Sequence, residues 1–149
     1  SQLRQLLNNK IIVSEIRGRN LVISEKEIIK WLESGYALKF SPLKEKEYWM
    51  PIWNNAFELS LRNNACIDEI AYVFGKTKMS ISYYMKKHNF PPVIRYLNSY
   101  NICNRHHVNE WAKDHNMPLL PEKMDEKYIQ MIGSWHCYRI YKEYNLTSE

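Results

Sequence analysis

At 149 residues the chain can bury one full core or two small ones, and with 45% apolar residues, 13% aromatic residues and only four glycines it is neither disordered nor of low complexity. No apolar run approaches the roughly 18–20 residues that span a bilayer, and residues 1–20 hold no signal-like apolar stretch, so a soluble cytoplasmic protein is expected. The net charge of +5 is unevenly spread: residues 1–69 hold ten Lys/Arg against nine Asp/Glu and residues 110–149 hold five against seven, whereas residues 70–109 hold six cations and no acid. Three widely spaced cysteines, Cys66, Cys103 and Cys137, argue against a disulfide framework.

In chain order, residues 2–8 read as the end of a helix. Residues 11–23 alternate around Arg17-Gly18-Arg19-Asn20, where Gly and Asn can supply the positive φ of a hairpin turn. Ser24-Glu25-Lys26-Glu27 is a capping box, with Ser at N-cap and Glu at N3, and it opens a helix through Ile28, Ile29, Trp31 and Leu32 that Gly35 ends. Ser41-Pro42 then breaks the chain. Pro51 fits the first turn of a helix running to about residue 63, with Ile52, Trp53, Ala56, Phe57 and Leu61 on one face. The aromatic run Tyr48, Trp49, Trp53 and Phe57 suits a helical core or a ligand pocket.

Residues 67–107 are the centre of the reading. A short helix over 67–74, a turn at Gly75-Lys76-Thr77 and a second helix over 78–88 share one apolar set: Ile70, Ala71, Phe74, Ile81, Tyr84 and Met85. A small residue at the helix crossing, followed four residues later by a glycine able to take positive φ, is the spacing of a helix-turn-helix. The other face of the second helix carries Lys78, Met79, Ser82, Tyr83, Lys86 and Lys87, and Lys76, Arg95 and Arg105 complete the cations of the acid-free stretch. Such an asymmetry suits a phosphate backbone, because counterion release supplies most sequence-independent affinity.

An ungapped shift of 80 lays residues 11–34 on residues 91–114: Val13 falls on Val93, Val22 on Ile102, Ile23 on Cys103, Ser24 on Asn104, Ile28 on Val108 and Trp31 on Trp111. Both copies read as hairpin, capped helix and tryptophan, with Pro91-Pro92 forcing an extended entry into the second. The tryptophans are expected to clamp helix to hairpin. Beyond Met117-Pro118 and Pro121 one long helix is expected over 123–144, with Met124, Tyr128, Met131, Ile132, Trp135 and Tyr138 at helical spacing and Gly133 interrupting it. Its apolar stripe suits a dimer seam or packing on its own domain.

Asp68-Glu69-Ile70-Ala71, Gly75, Ser80-Ile81-Ser82, Phe90-Pro91-Pro92-Val93 and Val108-Asn109-Glu110-Trp111 resemble the winged helix-turn-helix of the excisionase, AlpA and MerR-like group. Residues 2–34 resemble the second half of the same module, and about 80 residues are covered in all. The wing tip Leu97-Asn98-Ser99-Tyr100-Asn101 departs from the Gly-Arg-rich tip of the group, whereas Arg17-Gly18-Arg19-Asn20 keeps it. Before the wing, the helices also fit a homeodomain or Myb-type trihelical unit.

The expected fold is therefore mainly α with small β-hairpin wings (α+β): tandem winged helix-turn-helix-like modules, 1–35 partial and 36–116 complete, plus a C-terminal helix in 117–149. The expected function is sequence-specific binding of double-stranded DNA by a transcriptional regulator, or by an excisionase-like or terminase-small-subunit-like architectural factor. The abundance of Asn, Ile, Lys and Tyr hints at an AT-rich mobile element. Met79, Ser82 and Tyr83 would read bases, while Lys76, Thr77, Lys78, Lys86, Lys87 and Arg95 hold phosphates and Arg17 and Arg19 reach a minor groove. No cofactor, metal or membrane partner is expected, although Cys103, His106, His107, His136 and Cys137 could in principle meet around zinc. An enzyme is not expected, since no nucleophile with a base and no Gly-rich phosphate loop stands out. A protein adaptor that keeps the fold without binding DNA is the remaining alternative.

Overall fold

The computed structural model describes residues 15–17, 20–42 and 46–147. The expected helix over 2–8 and the turn residues Gly18 and Arg19 lie outside the described residues. Within them the protein is mainly helical, with seven α-helices, a two-stranded hairpin and a three-stranded antiparallel sheet. The hairpin pairs β1 (Glu15–Arg17) with β2 (Asn20–Val22) and leads into α1 (Glu25–Glu33). Ser24 caps α1 as expected, its hydroxyl accepting from the Glu27 N–H at 3.2 Å. Gly35, at φ 117°, turns the chain into a single 3-10 turn at Tyr36–Leu38.

Next comes α2 (Lys46–Asn63), which starts earlier than the sequence suggested, so that Pro51 lies inside it rather than in its first turn. Trp53, Ala56, Phe57 and Leu61 are buried along one face, as their spacing requires, with Ile52 half-buried. The strand β3 (Asn64–Cys66) follows without a loop. Then α3 (Ile67–Phe74) and α4 (Lys78–Lys87) are joined by Gly75, at φ 66°. Its left-handed conformation lets the Lys76 N–H reach the Ala71 carbonyl at 2.9 Å, which satisfies an orphan carbonyl at the end of α3. The strands β4 (Arg95–Leu97) and β5 (Tyr100–Asn104) form a second hairpin whose two-residue turn, Asn98 and Ser99, has both φ angles positive at 50° and 73°. The helix α5 (Arg105–Asp114) starts at once from Asn104, whose side chain accepts from the His107 N–H at 3.0 Å.

The internal repeat is present in the backbone. Adding 80 to the pairs Glu15↔Val22, Ile16↔Leu21 and Arg17↔Asn20 gives Arg95↔Ile102, Tyr96↔Asn101 and Leu97↔Tyr100, and both sets are observed. Ser24 and Asn104 cap their helices at the same offset, each accepting from the third residue on.

The single helix expected over 123–144 is two: α6 (Glu126–Met131) and α7 (Trp135–Thr147). Gly133, at φ 81°, ends the first, with the Ser134 N–H bonded to the Ile129 carbonyl at 3.0 Å. A side chain on Gly133 would also meet Asn98 Nδ2 at 2.9 Å, the same amide that donates to the Ile132 carbonyl. The second hairpin thus docks on the α6–α7 break.

The three-stranded sheet, in order β3-β5-β4, has side chains buried on both faces. On one side Cys66, Leu97 and Ile102 join Leu32, Leu38, Trp53, Phe57, Leu61, Met124, Tyr128, Ile129, Ile132 and Cys137. On the other, Ala65 and Cys103 join Ile67, Ile70, Ala71, Phe74, Ile81, Phe90, Val108, Trp111 and Leu120. The period of two along each strand sorts the side chains between these cores. The first core draws on all three segments that the sequence separated at residues 35 and 116. It also takes up Met124, Tyr128, Ile132 and Tyr138 from the apolar stripe that had been a candidate dimer seam, while Met131 stays exposed. Trp111, expected to clamp its helix to the hairpin, instead clamps α5 to the α3–α4 pair, stacking on Phe74 and donating its indole N–H to the His88 carbonyl at 2.8 Å.

Arg105, 2% exposed, crosses between these parts. It donates to Glu69 Oε1 at 2.6 Å, to the Asn64 carbonyl at 3.0 and 3.2 Å and to the Pro121 carbonyl at 2.9 Å. Burial pushes the Glu69 carboxyl above the usual carboxylate range, and Arg105 pulls it back only in part. Arg105→Met leaves that carboxylate and two carbonyls unmatched, and chemical denaturation should show a loss of about 3–5 kcal/mol. Arg105→Met/Glu69→Met should recover part of that loss, because no stranded carboxylate remains.

All three cysteines are free and buried. Burial pushes the Cys66 thiol up to about 11, Cys103 to about 12 and Cys137 to about 11, from an ordinary 9.0. A thiol held protonated by the fold binds its proton more tightly when folded. Its contribution is therefore complete below pH 9 and is lost as the pH rises toward 11–12. The urea midpoint should fall across that window, and less steeply in Cys103→Ala. At pH 8 a thiol-specific disulfide reagent should label the native protein far more slowly than the unfolded chain.

Candidate nucleic-acid interface

The helix α4 is held at three points. Ile81, fully buried, with Tyr84 and Met85 half-buried, seats one face on the second core. Thr77 fixes the N-terminus, its hydroxyl accepting from the Ser80 N–H at 3.1 Å. At the C-terminus the Phe90 N–H reaches back to the Tyr84 carbonyl at 3.2 Å, helped by Asn89 at φ 55°. The face turned outward carries Met79, 83% exposed, and Tyr83, 53% exposed, with Ser82, Lys86 and Lys87 also exposed. Met79 to Tyr83 and Ser82 to Lys86 are four-residue steps, so these residues form one stripe on a rigid cylinder. Lys76 is exposed in the turn ahead of it.

The fold redistributes the cations of residues 70–109. Arg105 is spent on the buried pair. Lys78, placed by the sequence on the outward face, bridges Asp68 of α3 at 3.1 Å. Arg95, also expected to hold phosphate, turns inward: alternation along β4 puts it with Leu97 on the first-core side. Its guanidinium carbon lies 5.3 Å from the centre of the Tyr36 ring, and Nη1 is 3.4 Å from the Ser34 hydroxyl. Burial lowers the Arg95 pKa. Gly35 leaves the room for it, since a Cβ there would lie 2.8 Å from Arg95 Nη1. The exposed cations of the stretch are therefore Lys76, Lys86 and Lys87, together with Lys78, which stays 66% exposed while paired with Asp68, all gathered around α4.

Arg17 ends β1, and Arg19 lies outside the described residues. At the second hairpin the exposed large apolar residues are Ile94, 46%, just ahead of β4, and Tyr96, 72%. Tyr96 and its cross-strand partner Asn101 share the sheet face of Cys103, the side on which α3 and α4 pack. Sequence reasoning passed over Tyr96, although alternation with the buried Leu97 would have marked it. His106 bridges Glu110 one turn on within α5. Cys103 and Cys137 belong to different cores, and among the described residues no group of three or more His, Cys, Asp or Glu is placed to hold a metal ion. No described helix is long and apolar enough to cross a membrane.

The chain matches no family model, no curated protein and no solved structure.

Thr77 caps α4 as well as standing beside Lys76 on the exposed rim. Thr77→Ala should cost about 1 kcal/mol of stability by thermal denaturation, while Thr77→Ser should retain most of the cap.

Proposed function

We propose that this protein is a sequence-specific double-stranded DNA-binding protein that places α4 in a major groove. The observation that carries the reading is the outward stripe of α4, where Met79, Ser82 and Tyr83 are flanked by Lys76, Lys86 and Lys87 on a helix fixed along its other face and at both ends. Phosphate contacts set the register of such a helix, and short polar and apolar side chains read base edges and thymine methyls. The resemblance to the excisionase, AlpA and MerR-like group supports the same placement, with the β4–β5 hairpin as wing. In that reading Thr77 adds a phosphate contact and Arg17 and Arg19 of the first hairpin approach a neighbouring minor groove. Arg95 is not needed, being turned into the fold, and Lys78, exposed but paired with Asp68, adds less than its unpaired neighbours. A transcriptional regulator or architectural factor of a phage, plasmid or other mobile element is the role this chemistry fits. A homodimer through the C-terminal helices is not needed for this reading, since much of their apolar stripe is taken up in the first core, although Met131 stays 39% exposed.

Binding to a pool of random duplexes across a salt series tests the reading. Wild type should bind with a strong salt dependence, and Lys86→Ala/Lys87→Ala should flatten the logarithmic slope by about 0.9 for each phosphate contact removed. Ser82→Ala/Tyr83→Ala should leave the slope and erase sequence preference. Absence of salt-dependent binding overturns the proposal. A protein-adaptor reading would then take its place, and one observation favours it specifically: Met79 and Tyr83 expose large apolar surface one turn apart on α4.

A further inference from the structure

Away from α4, a second concavity lies where α1, the 3-10 turn and α2 meet. It has a volume of about 150 Å³ and is walled by four aromatic residues, Trp31, Phe40, Trp49 and Trp53, with Ile28, Leu32, Pro42 and Ser41 completing the lining. The walls are held in place. Trp53 donates its indole N–H to the Phe40 carbonyl at 2.6 Å, and Trp31 stacks on Tyr36 with ring centres 5.3 Å apart at 18°. Trp31 also lies 5.3 Å from the Phe40 ring, so the two rings brace each other. Preformed, mostly apolar concavities with fixed walls are where small molecules bind.

Size and chemistry limit the occupant. An apolar cavity of about 150 Å³ is large enough to take a benzene-sized ring. Among the described residues no charged side chain lines this one, and its polar side-chain atoms are the Ser41 hydroxyl and the indole N–H groups of Trp31, Trp49 and Trp53, of which that of Trp53 donates to the Phe40 carbonyl and that of Trp31 is buried away from solvent. A cation would find aromatic faces there but, among the described residues, no carboxylate to offset its desolvation, whereas a flat neutral ring gains stacking and burial without that cost.

We infer that this pocket is a binding site for a small, planar, uncharged aromatic molecule. The site is separate from the α4 stripe and does not depend on DNA binding.

The five tryptophans supply the test, since Trp31, Trp49 and Trp53 line the pocket while Trp111 and Trp135 do not. Indole is titrated into the full chain while the tryptophan indole N–H resonances are followed by NMR, with tetramethylammonium as a parallel probe. Saturable shifts at the three pocket tryptophans, with Trp111 and Trp135 unmoved, are expected for indole and not for tetramethylammonium. Ile28→Phe should fill the pocket and abolish saturation; unchanged Trp111 and Trp135 resonances report that the variant folds. Where they change, Trp49→Leu takes its place, removing one wall and weakening binding. Shifts spread over all five tryptophans, no saturation up to the solubility of indole, or binding of tetramethylammonium alone overturns the inference.

Discussion

The buried pair between Arg105 and Glu69 is the constraint on which the rest of the structure depends. Both side chains are almost inaccessible, at 2% and 1% exposure, and a charge so placed is tolerated only when its partners are fixed. The planar fork of arginine meets that condition by binding groups that no single element supplies: a carboxylate on α3, the carbonyl at the start of β3, and the carbonyl of Pro121 ahead of α6. The start of α5, the sheet, the α3–α4 pair and the C-terminal helices are thereby fixed in one relation. Lysine, with a point charge on a flexible stem, would not reach all three.

From that relation follows the placement of α4. The sheet separates two cores, and α3, α4 and α5 pack on one side of it while α1, α2, α6 and α7 pack on the other. The helix with the exposed stripe is thus supported from beneath by Ile81 and braced by Trp111 through Tyr84, with those two rings 5.4 Å apart. Its outer residues are exposed because its inner ones are fully used. The alternation that buries Leu97 and exposes Tyr96 also turns Arg95 away from the α4 side, so geometry rather than composition decides which cations remain available.

Features legible in the sequence were those fixed by neighbours along the chain. Ser24 and Asn104 announced their helices, Gly75 its turn, and the 80-residue shift located both hairpins in register. The apolar set from Ile70 to Met85 marked the buried side of the α3–α4 pair, and the remaining positions of α4 are the exposed ones. What escaped was set by contacts between distant residues. The strand β3 is three residues long and carries no pattern of its own; its pairing with β5 defines it. Gly133 could have been a tolerated helix interruption, and Asn98, far away in sequence, occupies the space a side chain there would need. The acid-free stretch looked uniformly available because Asp68 and Glu69 lie just outside it, and only folding brings them onto Lys78 and Arg105.

The two-sided sheet has a consequence in time. Neither core is complete until Asn64 pairs with Asn104, so a loop holding the whole α3–α4 pair and the second hairpin must close first. Local pieces can form quickly, since the capped helices and two-residue hairpin need only near neighbours, but they have nothing to dock on before that closure. A slip of one residue in β5 would exchange Ile102 with Cys103 and present each core with the other's side chains. Chain closure and strand register are therefore joined: the pairing that closes the loop also decides which side chains fill each core.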